Sequence, residues 1–209
     1  TICGSFCHFW YSADMATARR TALLLRVSQS CAAAFVERGD TSTTIAELAD
    51  RAEISERTFY RCFATKEESI WPMLDEGNRS LATALSAQAR EFGLAAAVKN
   101  AFIASVGESF EPMTRSLMPI IFGDAALRRV WESATFETME LIRPEVARLI
   151  DRPETSLDTT AASGQATLAV VAALREMADL RTPAPEAITR ALGAFSKPYL
   201  ATPTGKEQS

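Results

Sequence analysis

Two arginines carry the most specific chemistry this sequence offers. Arg57 and Arg61 lie in the stretch TIAELADRAEISERTFYRCF, Thr44 to Phe63. A guanidinium can bond guanine O6 and N7 as a bidentate pair or hold a phosphate, and the methyl of Thr58 between them can touch thymine. The competing reading is that both arginines are merely solvated. Other reactive groups are scarce. The one histidine, His8, stands in a short N-terminal tail with Cys3 and Cys7. Three such groups without a fourth ligand make a weak metal site. No phosphate loop, dinucleotide fingerprint, nucleophile elbow or HExxH motif occurs. Glu137 and Glu140 are spaced as a pair of helical carboxylates, but solvation or pairing with Arg143 accounts for them more simply. Enzymatic chemistry is the weakest class, and nothing implies a cofactor.

The arginines need a support, and the surrounding residues supply one. Thr44 followed three residues later by Glu47 is a capping box that starts a helix. Ile45, Leu48 and Ala49 form its short apolar face. Ser55 is a second N-cap, and Phe59 and Phe63 mark the inward side of the helix that follows. Two short helices, with Ile54 tucked at the turn between them, make a helix-turn-helix, whose second helix enters the DNA major groove. Thr65 with Glu68 is a further capping box, so another helix begins two residues after Phe63.

From Gly39 to Ile70, the runs Thr-Thr-Ile-x-x-Leu-Ala, Ile-Ser-x-x-Thr-Phe-Tyr-Arg-x-Phe and Thr-Lys-Glu-Glu resemble the TetR family of transcriptional regulators. The resemblance covers roughly residues 17 to 75; beyond it only length and helix pattern agree. It implies that Ser55, Glu56, Arg57 and Thr58 meet base edges at the exposed start of the recognition helix. It places Tyr60 and Lys66 at phosphates, with Arg61 as a helper and Thr44 contributing through the positive end of its helix. Two positions depart from the pattern. Glu53 stands where the family usually has the turn glycine, and a left-handed conformation there costs about 1 kcal/mol. Cys62 replaces a larger Tyr or His, which removes one phosphate contact.

The rest of the chain is consistent with an all-α protein. It has 209 residues, is 47% hydrophobic, and holds enough apolar surface for one or two domains. Period-two alternation is hard to find, and no apolar run reaches the length of a membrane span. The net charge of −4 is unevenly spread. Residues 17–66 carry a small excess of basic side chains, so the acidic excess lies elsewhere. A mildly basic head on an acidic body fits a protein that touches phosphate at one end. The four cysteines, Cys3, Cys7, Cys31 and Cys62, show no disulfide spacing, which favours a reducing cytoplasm.

The expected organisation is an unstructured leader over 1–14, a DNA-binding domain over 15–66, a ligand-binding and dimerisation domain over 67–197, and a disordered tail over 198–209. Helix 1 runs from Thr17 to Arg38 and stops at Gly39. Helix 4 runs from Lys66 to about Arg90 with Pro72 well inside it, where a proline should bend the helix, either as a pivot or as a static kink that only accommodates packing. Helix 5 ends at Phe110, and Pro112 opens helix 6. Trp71, Phe102, Phe110 and Met113 are candidates to line an apolar cavity, as are Met118, Phe122, Trp131 and Met139. Each singly is more often core. Together they suggest a bulky, mainly apolar effector, with Glu108, Arg115 or Glu137 as a polar anchor. The small-residue face with Ala169 and Ala172, and the stripe of Ile188, Leu192 and Phe195, should form a two-fold interface.

The resemblance thus implies a TetR-like homodimer that binds a palindromic operator, without membrane attachment, and releases it when a small molecule binds. The alternative is a helical sensor or carrier that has lost DNA binding.

Overall fold

The computed structural model describes residues 4–196; the side chains of 4–16 and 108–110 lie outside that description. Every element among the described residues is helical. The order is α1 (Gly4–Arg38), α2 (Ile45–Arg51), α3 (Glu56–Cys62), α4 (Trp71–Ser86), α5 (Gly93–Gly123), α6 (Ala125–Ile150), α7 (Leu157–Leu180) and α8 (Ala184–Phe195), with tight 3₁₀ turns at Glu67–Ile70 and Arg90–Phe92. The first helix begins at Gly4, not at Thr17. No proline or glycine interrupts Ser5 to Arg38, so nothing local stops the helix from extending through the stretch expected to be an unstructured leader. It ends as expected, on Gly39 with φ 80°.

The head is α1, α2 and α3. The face of α1 that carries Val27, Cys31, Ala34 and Phe35 is buried against Leu48 and Ala49 of α2 and Phe59 of α3. Burial also pushes the Cys31 thiol pKa up, so it stays an inert core thiol. Arg26 of α1 donates to the Ala52 carbonyl at 2.8 Å, which fixes the turn onto α1. One guanidinium N–H of Arg26 is thereby committed to the turn.

α4 leaves the head and packs against α5 and α6; α5 and α6 pack on α7, and α7 and α5 on α8. The expected long helix from Lys66 to Arg90 is instead a 3₁₀ turn followed by α4. That change relocates Pro72. It sits in the first turn of α4, where its missing N–H has no intrahelical partner to lose. The next orphan amide, that of Met73, donates to the Ser28 hydroxyl of α1 at 3.1 Å. Pro72 is a helix-start residue and not a mid-helix pivot. Pro72→Ala should therefore shift the thermal midpoint by no more than a few degrees, a change of about 1 kcal/mol or less; a loss near 3 kcal/mol in a denaturant titration would restore the interior-kink reading.

The expected boundary at 110–112 lies earlier. α5 bends at Gly107, whose φ 55°, ψ 164° is open to glycine and strained for other residues. Two cores result. One runs from the head through Ile70 to Leu117, Met118, Ile121 and Trp131. The other joins α4, α5 and α6 to Ala166, Met177 and Ile188. The first core crosses the expected boundary at 66/67 without a gap.

Candidate nucleic-acid interface and apolar cavity

Local hydrogen bonds set the shape of the helix-turn-helix. Thr44 and Glu47 bond reciprocally: the Thr44 amide donates to the Glu47 carboxylate at 2.7 Å, and the Glu47 amide donates to the Thr44 hydroxyl at 3.3 Å. The Thr44 amide and hydroxyl bonds hold the Glu47 carboxyl below its ordinary pKa. The turn is a Schellman motif, with the Ile54 amide bonded to Ala49 O and the Glu53 amide to Asp50 O, both at 3.0 Å. Glu53 occupies its left-handed position at φ 55°. The turn therefore keeps the shape a glycine would give, at a backbone cost of roughly 1 kcal/mol.

On α3 the two faces separate cleanly. Phe59 is fully buried, while Ser55, Glu56, Arg57, Tyr60 and Arg61 are exposed and Thr58 is half-buried. The Ser55 hydroxyl accepts from the Thr58 amide at 3.2 Å and lies 2.9 Å from the Thr58 hydroxyl. Those two hydroxyls are occupied in capping the helix. Arg57 and Arg61 have no hydrogen bond or ion pair among the described residues, whereas Arg38 pairs with Glu47 and Arg51 makes a two-pronged pair with Glu37. The paired arginines hold the head together. The unpaired ones remain free to meet an anion.

Lys66 lies elsewhere, among carbonyls. Its ammonium donates to Thr41 O and, at 3.3 Å, to Thr43 O. An ammonium has three N–H bonds, so one remains for a phosphate. The same loop is held from the body. The Thr41 hydroxyl donates to Asp124 Oδ2 at 2.7 Å, while Asp124 Oδ1 accepts from the Ala126 and Leu127 amides at 2.8 and 2.9 Å and caps α6. The Leu127 amide, with further help from Thr41, keeps the Asp124 carboxyl below the usual carboxylate range. One carboxylate thus joins the start of α6 to the loop leading into Thr44. No spacing rule links Asp124 to Thr41, 83 residues away.

A cavity of about 220 Å³ lies between α1, α4, α5, α6 and α7. Phe102, Met113, Met118 and Trp131 line it, together with Leu25 and Leu174. The other expected wall residues are placed elsewhere. Trp71, at the start of α4, lines a separate open cleft beside Arg129. The ring of Phe122 packs edge-on against Trp131, with the Arg175 guanidinium 4.4 Å above it. Met139 lies on α6 beyond the cavity, with its sulfur 3.9 Å from where a Cβ on Gly164 of α7 would stand. The side chains of Phe110 and Glu108 lie outside the described residues. Arg115 is paired with Glu111, and Glu137 is exposed, so neither serves as an anchor inside the cavity. At this volume the space suits a molecule of moderate size; typical small-molecule sites run to about 300–1,000 Å³.

The faces of α7 and α8 are also redistributed. Ala169 and Ile188 are buried within the protomer, Ala172 and Leu192 are half-buried, and Phe195 is exposed. The outward side of α7 carries Leu157, Leu168 and Leu180, all strongly exposed.

A helix-turn-helix with a buried aromatic face and unpaired outward arginines defines a DNA-binding protein. Residues 31–68 match the family model for bacterial regulatory proteins of the tetR family. No curated protein matches the chain. Among solved structures, a tetR-family transcriptional regulator from Streptomyces coelicolor is similar over 86% of this chain and 79% of its own, with 18% identity and a TM-score of 0.57. A TetR-family transcriptional regulator from Rhodococcus sp. is similar over 86% of this chain and 97% of its own, at 16% identity and a TM-score of 0.58. At those identities the likeness is one of fold. Residues 31–68 thus share the pattern of bacterial regulatory proteins of the tetR family, and the chain as a whole shares the fold of these two solved structures. Among the described residues, no helix is long and apolar enough to cross a membrane.

Proposed function

We propose that the protein represses transcription as a homodimer and leaves its operator when a small apolar molecule fills the cavity. The observation that carries this reading is the outer face of α3, where Arg57 and Arg61 stand exposed and unpaired beside Tyr60. Arg57 reads a guanine, Tyr60 and Arg61 hold phosphates, and Thr44 presents the start of α2 to the backbone. Two such heads in a dimer must stand about 34–36 Å apart to enter successive major grooves. The exposed leucines of α7 and Phe195 of α8 supply apolar surface for the two-fold interface.

Selection of bound sequences from random DNA tests the reading. Enrichment of an inverted repeat is expected, and recovery of no preferred sequence would leave a sensor without DNA binding. Arg57→Ala should cost about 1–3 kcal/mol on the selected site and relax one position in each half-site. Equal weakening on selected and random DNA would remove Arg57 from the bases.

The ligand acts through the wall it touches. Trp131 and Met118 line the cavity and belong to the core that continues into the head. Between them in sequence stands Asp124, which holds Thr41. A molecule that displaces α6 therefore pulls on the loop before Thr44. Its effect is limited by its differential affinity for the two arrangements. Thr41→Val removes the donor and keeps the shape. Ligand affinity should stay within about twofold, while the coupling between ligand and operator falls by about 1 kcal/mol. Titrating ligand against operator occupancy in both proteins measures this, and unchanged coupling would exclude the Thr41–Asp124 route.

A further inference from the structure

The cavity's polar lining sets the charge of what it can hold. This inference rests on the reading of the cavity as the effector site. Beside its apolar walls the cavity has a few neutral polar groups and one charged one. The hydroxyl of Ser105 donates to Phe102 O at 2.9 Å, and that of Thr135 donates to Trp131 O at 2.9 Å. Both protons are committed to helix carbonyls, so these oxygens have only lone pairs left to offer. Asn78 donates through Nδ2 to Ala134 O at 3.1 Å, which leaves its amide oxygen as an acceptor. Glu76 lines the cavity and is exposed to solvent. It has no hydrogen bond or ion pair among the described residues. No Lys, Arg or His is among the described lining residues. The nearby Arg79 is paired with Asp75, and Arg115 with Glu111.

We infer that the effector is a lipophilic molecule with a hydrogen-bond-donating, neutral or cationic head group, an amine above all, and that carboxylates and phosphates are excluded. The physical reason is solvation. An anion entering this space loses its water and meets the Glu76 carboxylate and, as donors, only the neutral groups of Gln29, Asn78, Ser80 and Thr114, with no cation among the described lining residues to offset the loss. An ammonium or hydroxyl group replaces its water with the Ser105, Thr135 and Asn78 acceptors. A cation gains the Glu76 carboxylate as well, weakened by its exposure to solvent. The apolar part of the ligand lies against Phe102, Met113, Met118 and Trp131, where methionines let the wall adapt.

Three probes with one ten-carbon chain isolate the head group: decylammonium, decan-1-ol and decanoate, each titrated calorimetrically into the full chain below its micelle concentration. Decylammonium should bind tightest and decanoate at least about tenfold weaker. Decan-1-ol should displace decylammonium, which shows a shared site. Glu76→Gln should reduce the preference for decylammonium over decan-1-ol by about threefold, the scale of an exposed ion pair, and leave decan-1-ol unaffected. Decanoate binding as tightly as decylammonium overturns the inference and leaves the cavity reading intact. An unchanged preference in Glu76→Gln removes Glu76 from recognition of the head group. Failure of all three probes to bind overturns the cavity reading itself, and this inference falls with it.

Discussion

Phe59→Ala is expected to destabilise the protein by about 3–5 kcal/mol and abolish operator binding. Phe59 is fully buried on the inner face of α3. Its ring lies 5.4 Å from that of Phe63 and meets Tyr60 edge-on at 6.3 Å. Truncation removes the side chain that docks the recognition helix into the core of the head and leaves a cavity there. The loss should spread beyond the head, because Phe59 shares one continuous core with Ile70, Leu117, Met118 and Trp131. Chemical denaturation followed by tryptophan fluorescence and by far-ultraviolet circular dichroism should show one shifted transition in both signals. Two separate transitions, with the later one unmoved, would mean that the head unfolds independently and that the continuity of the core carries no cooperativity.

The second large effect separates folding from assembly. Ala169→Arg places a guanidinium at a position 1% exposed inside the protomer, between α7 and its neighbours. A buried charge with no partner costs several kcal/mol, of the order of 3–5, so this chain should misfold. Leu168→Arg changes the adjacent residue, which is 54% exposed on the outward face of α7. That variant should keep its helical content and thermal transition but sediment as a monomer, with operator affinity reduced by at least about tenfold because two linked heads bind better than one. A Leu168→Arg protein that remained dimeric would move the interface away from this face. A wild-type protein that is monomeric at micromolar concentration would remove the proposed dimer altogether.

These pairs show what spacing alone conveys. The Thr44–Glu47 box, the Ser55 cap, the Gly39 stop and the Phe59/Phe63 face all involve partners within a few residues, and each was legible because helix geometry fixes which neighbours meet. Tertiary contacts reversed some assignments made the same way. Pro72 lies within an apolar helical pattern, yet the chain turns through Glu67–Ile70 first and makes it a helix-start residue. α5 carries both Gly107 and Pro112; the bend is at the glycine, whose backbone can adopt φ 55°.

The sequence by itself determined the all-helical class and the helix-turn-helix with Arg57 and Arg61 on its outer side. Those features are local, and residue type and interval encode them directly. Only the tertiary structure decided which residues face the cavity, which side of α7 is inward, and how the head is held to the body. α7 is rich in alanine, with threonines among its small residues, so its own pattern gives little preference for one buried face; α5, α6 and α8 choose Ala169 and Ala173 over Leu168. The bond from Thr41 to Asp124 spans 83 residues. No periodicity connects two such positions, because their meeting depends on the packing of every helix between them.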